Sequence, residues 1–164
     1  MVTERSAILE TFKRGVLAGA AGGLAEMAWG SAYAALTGGD AAVLGRGVTT
    51  ASGVAALLPS APVGLGIGIH MVLAVALGLG LAVLWRALSP RVQPSGLYAG
   101  TLAALAAVWA TNFFVLLPAL SPEFVHLVPL SVSLMSKLLF GLAAAEVFRR
   151  HAVAGVRART GARA

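Results

Sequence analysis

Residues 127–148 read LVPLSVSLMSKLLFGLAAAEVF, an apolar run with a single lysine, Lys137, near its middle. A run of about 20 apolar residues matches the ~30 Å hydrocarbon core of a bilayer at ~1.5 Å rise per residue, so the stretch reads as a membrane span. An ammonium at mid-depth costs ~2.5 to 3.5 kcal/mol on translocon scales unless a partner or water relieves it. The partner the sequence offers is Glu26, which falls at similar depth in the first apolar stretch.

The rest of the chain agrees with that reading. Of its 164 residues 59% are hydrophobic and 11% charged, and the mean hydropathy is +0.88. Soluble proteins average roughly 25% charged residues. The composition therefore implies an integral membrane protein, and no loop is long enough to hold a separate soluble domain. The formal net charge of +6 would suggest nucleic acid in a soluble protein. Here the basic residues flank apolar spans, where they set topology and meet anionic head groups, so no nucleic-acid partner is expected. The absence of cysteine removes disulfides, thiolate metal sites and Cys nucleophiles together. The Ala, Gly, Val and Arg richness suggests a bacterial inner membrane.

Four spans are expected, at about 15–37, 63–84, 97–117 and 128–148. In the first, Gly15, Gly19 and Gly23 recur every four residues and Glu26 continues the same stripe, so the carboxylate faces a neighbouring helix. A cleaved signal peptide is the rival reading of this stretch, but the run is long and acidic at its centre, where such leaders are short and uncharged. In the second span Gly66, His70, Ala74 and Gly78 form a matching row. In the third, Thr101, Leu105, Val108 and Asn112 share a face. Between the first two spans, Asp40 caps an expected interfacial helix near 41–58, closed by Pro59 and Pro62.

Charge then fixes orientation. The N-terminal segment 1–14, the loop after the second span and the tail 149–164 carry ten of the twelve basic residues. The outer loops carry Arg46, and Lys137 is the twelfth. Both termini are therefore expected in the cytoplasm. The expected fold is an all-α membrane protein, a four-transmembrane-helix bundle with an extra interfacial helix between spans 1 and 2. The basic tail is expected to be disordered or to lie on anionic lipid.

Counting inward from the outer ends at ~1.5 Å per residue places Asn112 ~8 Å, His70 ~11 Å, Lys137 ~14 Å and Glu26 ~16 Å deep. With Ser133, one turn outward from Lys137, these residues form the candidate intramembrane polar site. The bland reading is helix glue. Interhelical hydrogen bonds in membranes average only ~0.6 kcal/mol, which argues against two full charges for stability alone.

Catalytic chemistry finds little support. Ser133, His70 and Glu26 could assemble as a triad, yet no G-x-S-x-G surrounds any serine, and no phosphate loop, HExxH or dinucleotide fingerprint is present. His70 and Met71 point about 100° apart on a helix and cannot both face one ion. No enzyme activity, cofactor or metal is expected. The expected role is a non-catalytic membrane assembly or interaction subunit, forming a homo-oligomer or joining a membrane-protein partner. The alternative is a small proton-coupled or solute transporter using Glu26, His70, Asn112 and Lys137.

Overall fold

The structure, a computed structural model, describes residues 2–88 and 94–161, and side chains over 4–88 and 96–151. The chain is all helical where described. α1 is Val2–Thr37, α2 Ala42–Ala51, α3 Pro62–Leu88 and α4 Pro94–Thr111. A π turn, Asn112–Leu116, joins α4 to the short α5, Leu117–Leu120; α6 is Pro122–Val125 and α7 Leu130–Gly161.

Three helices are long and apolar enough to cross a membrane: α3, the rod Gly96–Leu120, and Leu130–His151 within α7. The protein is thus a candidate multi-pass membrane protein. α1 is longer than any of these but is not among the three, because glycines, Glu26, Trp29 and Ser31 dilute its apolar run.

α1 and α7 form the central pair. α3 packs along one side of α1, and α4 along the far side of α7. The α1–α3 seam is the glycine stripe meeting the small residues of α3. A Cβ at Gly19 would stand 2.6 Å from Val75 Cα, and one at Gly78 would stand 2.5 Å from Gly19 Cα. Any side chain at either position would force the two backbones apart, so the close approach requires glycine.

In the half of the bundle where α1 begins, a core of Ala18, Leu81, Leu105, Phe140, Ala144 and Phe148 joins all four long helices. Phe140 and Leu105 are fully buried. Polar contacts fasten the same end. Tyr98 Oη donates to Glu146 Oε2 at 2.5 Å, and Trp85 Nε1 donates to Thr101 Oγ1 at 3.1 Å. Arg86 Nη1 lies 3.5 Å from Thr11 Oγ1, and His151 Nδ1 lies 3.7 Å from Glu10 Oε1. Glu146 also accepts from Arg149 and Arg150, at 2.6–2.8 Å.

At the opposite end the helix expected near 41–58 is shorter. Asp40 Oδ1 accepts from the Ala42 N–H at 2.8 Å, one residue ahead of Ala41, which takes the N-cap position, and α2 stops at Ala51. Gly53 takes φ +71°, a left-handed turn that ends the helix, and a 3₁₀ turn, Ala55–Leu57, follows. α2 rests on α3, where Thr49 Oγ1, fully buried, donates to the Pro62 carbonyl at 2.5 Å.

At both ends of the chain the helices run on past the expected spans. Residues 2–14 belong to α1, and the backbone of α7 continues from Phe148 to Gly161. Ala and Arg are strong helix formers, so an Ala- and Arg-rich extension propagates a helix already nucleated by its buried half. The turn expected at Pro90 and Arg91, and the side chains of Arg157, Arg159 and Arg163, lie outside the described residues.

Candidate functional site

Midway along the bundle, three helices bring charge together. Lys137 Nζ of α7 lies 2.6 Å from Glu26 Oε1 of α1, and His70 Nε2 of α3 lies 3.7 Å from Glu26 Oε2. Exposure rises from Glu26 at 8% to Lys137 at 18% and His70 at 26%. Glu26 is at the centre because it continues the Gly19 and Gly23 stripe that faces α3 and also reaches Lys137 of α7. Glycine on that stripe lets α3 in close enough for His70 to reach the carboxylate.

Each partner is held from a second side. His70 Nε2 is 3.3 Å from the Gly23 carbonyl, a hydrogen bond when that nitrogen carries the proton. Lys137 Nζ stands 5.4 Å from the centroid of the Phe140 ring, within cation–π range. Phe140 is fixed in turn because its ring lies flat against Gly22, where a Cβ would meet it at 2.6 Å.

One helical turn outward, two indoles clamp the start of α7. Trp29 Nε1, from α1, donates to the Val132 carbonyl at 3.0 Å. Trp109 Nε1, from α4, donates to Ser133 Oγ at 3.0 Å, and Ser133 Oγ donates to the Leu130 carbonyl at 2.9 Å. Trp109 also stacks on Phe113, centroids 5.6 Å apart. The charged triad thus lies between an aromatic layer outward and the sealed apolar core inward.

Of the five residues expected to converge, Glu26, His70 and Lys137 do. Ser133 sits above them and is engaged by Trp109. Asn112 opens the π turn, its carbonyl accepts from the Leu117 N–H, and no hydrogen bond joins its side chain to the triad among the described residues. The third-span face runs through Thr101 and Leu105, both fully buried, and on to the half-buried Val108 and Asn112, where the π turn begins.

Sequence reasoning missed Trp29, Trp109 and Phe140. The signal available was spacing, since Trp29 follows Glu26 by three residues and Phe140 follows Lys137 by three, each on a shared helix face. Among the described residues no three His, Asp or Glu side chains gather in a way that could hold a metal ion. Met71 packs its sulfur against Gly23, which fits a gap-filling role.

A carboxylate with an ammonium on one oxygen and an imidazole near the other can do two things. It can lock three helices in one register, or it can exchange a proton among three titratable groups. Comparison with known proteins does not choose between them. No family model matches this chain, and neither a curated protein nor a solved structure matches it.

Proposed function

We propose that this chain is a four-span integral protein of the bacterial inner membrane, with both termini in the cytoplasm, that serves as a non-catalytic assembly or interaction subunit. The observation that carries the role is the self-sufficiency of the triad. Glu26 is 8% exposed, and its two oxygens face Lys137 and His70 of the same chain. A buried charge pair of this kind costs desolvation and is best attested as a device that fixes register and orientation. Its natural product is a rigid bundle whose outward faces are presented unchanged to lipid or to a partner helix.

The fourth span is supported by packing. α1 lies against α3 on one side and α7 on the other, and both of these qualify as spans. A helix bracketed by two crossing helices crosses with them, and Glu26, its most costly residue in lipid, is the one it buries. Orientation is supported by the clustering of Arg14, Arg86, Arg149 and Arg150 at the end where Thr11, Tyr98 and Glu146 meet. Anionic head groups are the lipid partner that this end suits.

A second reading, a small proton-coupled or solute transporter, draws on His70. It adds a third titratable group to the pair and is the most exposed of the three at 26%. Intramembrane ionisable groups commonly mark ion or proton pathways.

One experiment separates the two. Purified protein in proteoliposomes is assayed for proton and solute flux, wild type against Glu26→Gln, and a tagged copy is isolated from membranes in mild detergent. The subunit reading expects background flux from both proteins and a stoichiometric membrane partner, or a defined homo-oligomer. Flux well above lipid background that Glu26→Gln abolishes overturns it in favour of transport.

A further inference from the structure

Glu26 offers one carboxylate to two neighbours that can carry positive charge. Lys137 Nζ holds Oε1 at 2.6 Å, whereas His70 Nε2 stands 3.7 Å from Oε2, beyond hydrogen-bond length. The same Nε2 lies 3.3 Å from the Gly23 carbonyl. Two acceptors facing one ring nitrogen require a proton on it. The neutral ring is therefore the Nε2–H tautomer, donating to Gly23 and leaving Nδ1 as the atom open to a second proton. Among the described residues no hydrogen bond occupies Nδ1, and the side chain is 26% exposed.

Charge balance limits what this site can hold. Toward His70, α1 presents Glu26, and α7 presents Lys137 on the far oxygen of that carboxylate. α2, also packed on α3, carries Arg46, which is paired with Asp40 at 2.6 Å. α4 contains no Asp, Glu, Lys, Arg or His. The other charged groups of α1, from Glu4 to Arg14, lie roughly three turns or more away along the helix. Glu146 of α7 is engaged by Tyr98, Arg149 and Arg150. One carboxylate thus serves both cations. A neutral imidazole beside the Glu26–Lys137 pair leaves the site uncharged, whereas an imidazolium added to it leaves an excess positive charge in low dielectric, which is costly.

Both partners have a second resting place. Gly23 and Glu26 are three residues apart on one face of α1, so a ring tilt of about 0.8 Å carries the Nε2–H from the carbonyl to a hydrogen bond with the carboxylate. Lys137 has a flexible stem, and its ammonium already stands 5.4 Å from the Phe140 ring centroid.

We infer that His70 is the alternative counter-charge of Glu26: a proton taken up at Nδ1 turns its Nε2–H from the Gly23 carbonyl to the carboxylate and moves the ion pair from the α1–α7 contact to the α1–α3 contact. The triad is then a lock with two settings, chosen by protonation. The inference rests on reading the triad as a lock, and it names what resets it.

The test uses the full chain in mild detergent, with thermal unfolding read at about pH 8 and about pH 5, the range over which histidine ordinarily changes charge. Lys137→Met leaves Glu26 without its ammonium, and in acid the imidazolium should take that place. The loss of melting temperature relative to wild type is expected to be at least about twofold smaller at the lower pH, because only the charged ring relieves the unpaired carboxylate. With His70→Gln added, and measured against His70→Gln alone, that difference should largely disappear. His126 and His151 are present in every variant and cancel in the comparison. Lys137→Gln, which keeps a donor for the carboxylate, carries the same comparison if Lys137→Met does not fold. A loss of equal size at both pH values overturns the inference. So does a loss that shrinks equally without His70, which would mean that Glu26 itself takes the proton. No loss at either pH overturns the Glu26–Lys137 lock as well, so failure of the lock and failure of the exchange are told apart.

Discussion

Lys137 Nζ and Glu26 Oε1 stand 2.6 Å apart across the contact between α1 and α7, and the carboxylate is 8% exposed. Around that pair the bundle is graded. Apolar core and polar staples hold the end where α1 begins, indoles clamp the layer on the other side of the charges, and beyond them α2 meets Phe124 and Leu127 at Gly47.

The α1–α3 seam should tolerate no side chain at its tightest point. Gly19→Leu is expected to lower the stability of the detergent-solubilised protein by about 1–3 kcal/mol or more, the range for overpacking a filled interface, because a Cβ alone already meets Val75 Cα at 2.6 Å. Gly68→Leu, on the same helix as Gly78 but facing open space, should leave the melting temperature nearly unchanged. Thermal unfolding followed by circular dichroism compares the two. Equal effects would mean that the seam is not tight.

The glycine stripe was legible in the sequence as a close-packing face because its four-residue period is local, but which helix fills it was not, since one helix's period does not name its partner. The pairing of Glu26 with Lys137 was legible for a similar reason, since rise per residue places both at nearly one depth and low dielectric leaves each needing the other. For Asn112 the sequence carried no sign of the π turn that it opens, because that turn answers to Pro118 and the local backbone and not to any periodicity. The indole clamps were illegible because they depend on the rotation of α1 and α4 about their own axes relative to α7, which one helix's periodicity does not set. The early end of α2 was in principle readable at Gly53, whose positive φ closes the helix before its apolar period runs out.

The clamp from α1 should be worth one hydrogen bond. Trp29→Phe keeps the ring and removes the Nε1 donor to the Val132 carbonyl, and is expected to cost about 1 kcal/mol. Amide hydrogen exchange over residues 130–134 should quicken, while exchange in the inner half of α7 stays slow. No change in the first turns of α7 would show that the bond carries no stability.

Acid should loosen the start of α2. Arg46 Nη2 lies 2.6 Å from Asp40 Oδ2, and that bond, with the Ala42 N–H, holds the Asp40 carboxyl below its ordinary 3.8. A carboxyl depressed in the folded state contributes stability above its unfolded value, and loses it as pH falls below 3.8 through the lower folded value. Exchange protection of α2 should therefore drop on acidification through that window, and the drop should shrink in Asp40→Asn. Both residues are exposed, so salt should weaken the effect. A pH response that survives Asp40→Asn unchanged belongs to another group.

Reporter fusions test the number of crossings. A fusion after Ala119 should report the periplasmic side and one at the C-terminus the cytoplasmic side. A fusion at Gly39 should agree with the one after Ala119 if α1 crosses with α3 and α7. Disagreement between those two would reduce the bundle to three spans.

The measurement closest to the centre of this account is the double-mutant cycle on Glu26 and Lys137, read by equilibrium or thermal unfolding in mild detergent. Glu26→Gln and Lys137→Met are each expected to cost about 3–5 kcal/mol, because each leaves a charge buried without its partner. The double variant should cost markedly less than the sum of the two, with a coupling of at least ~1 kcal/mol. Single losses that simply add would contradict the account, since they would mean that the two charges do not depend on each other across the α1–α7 contact.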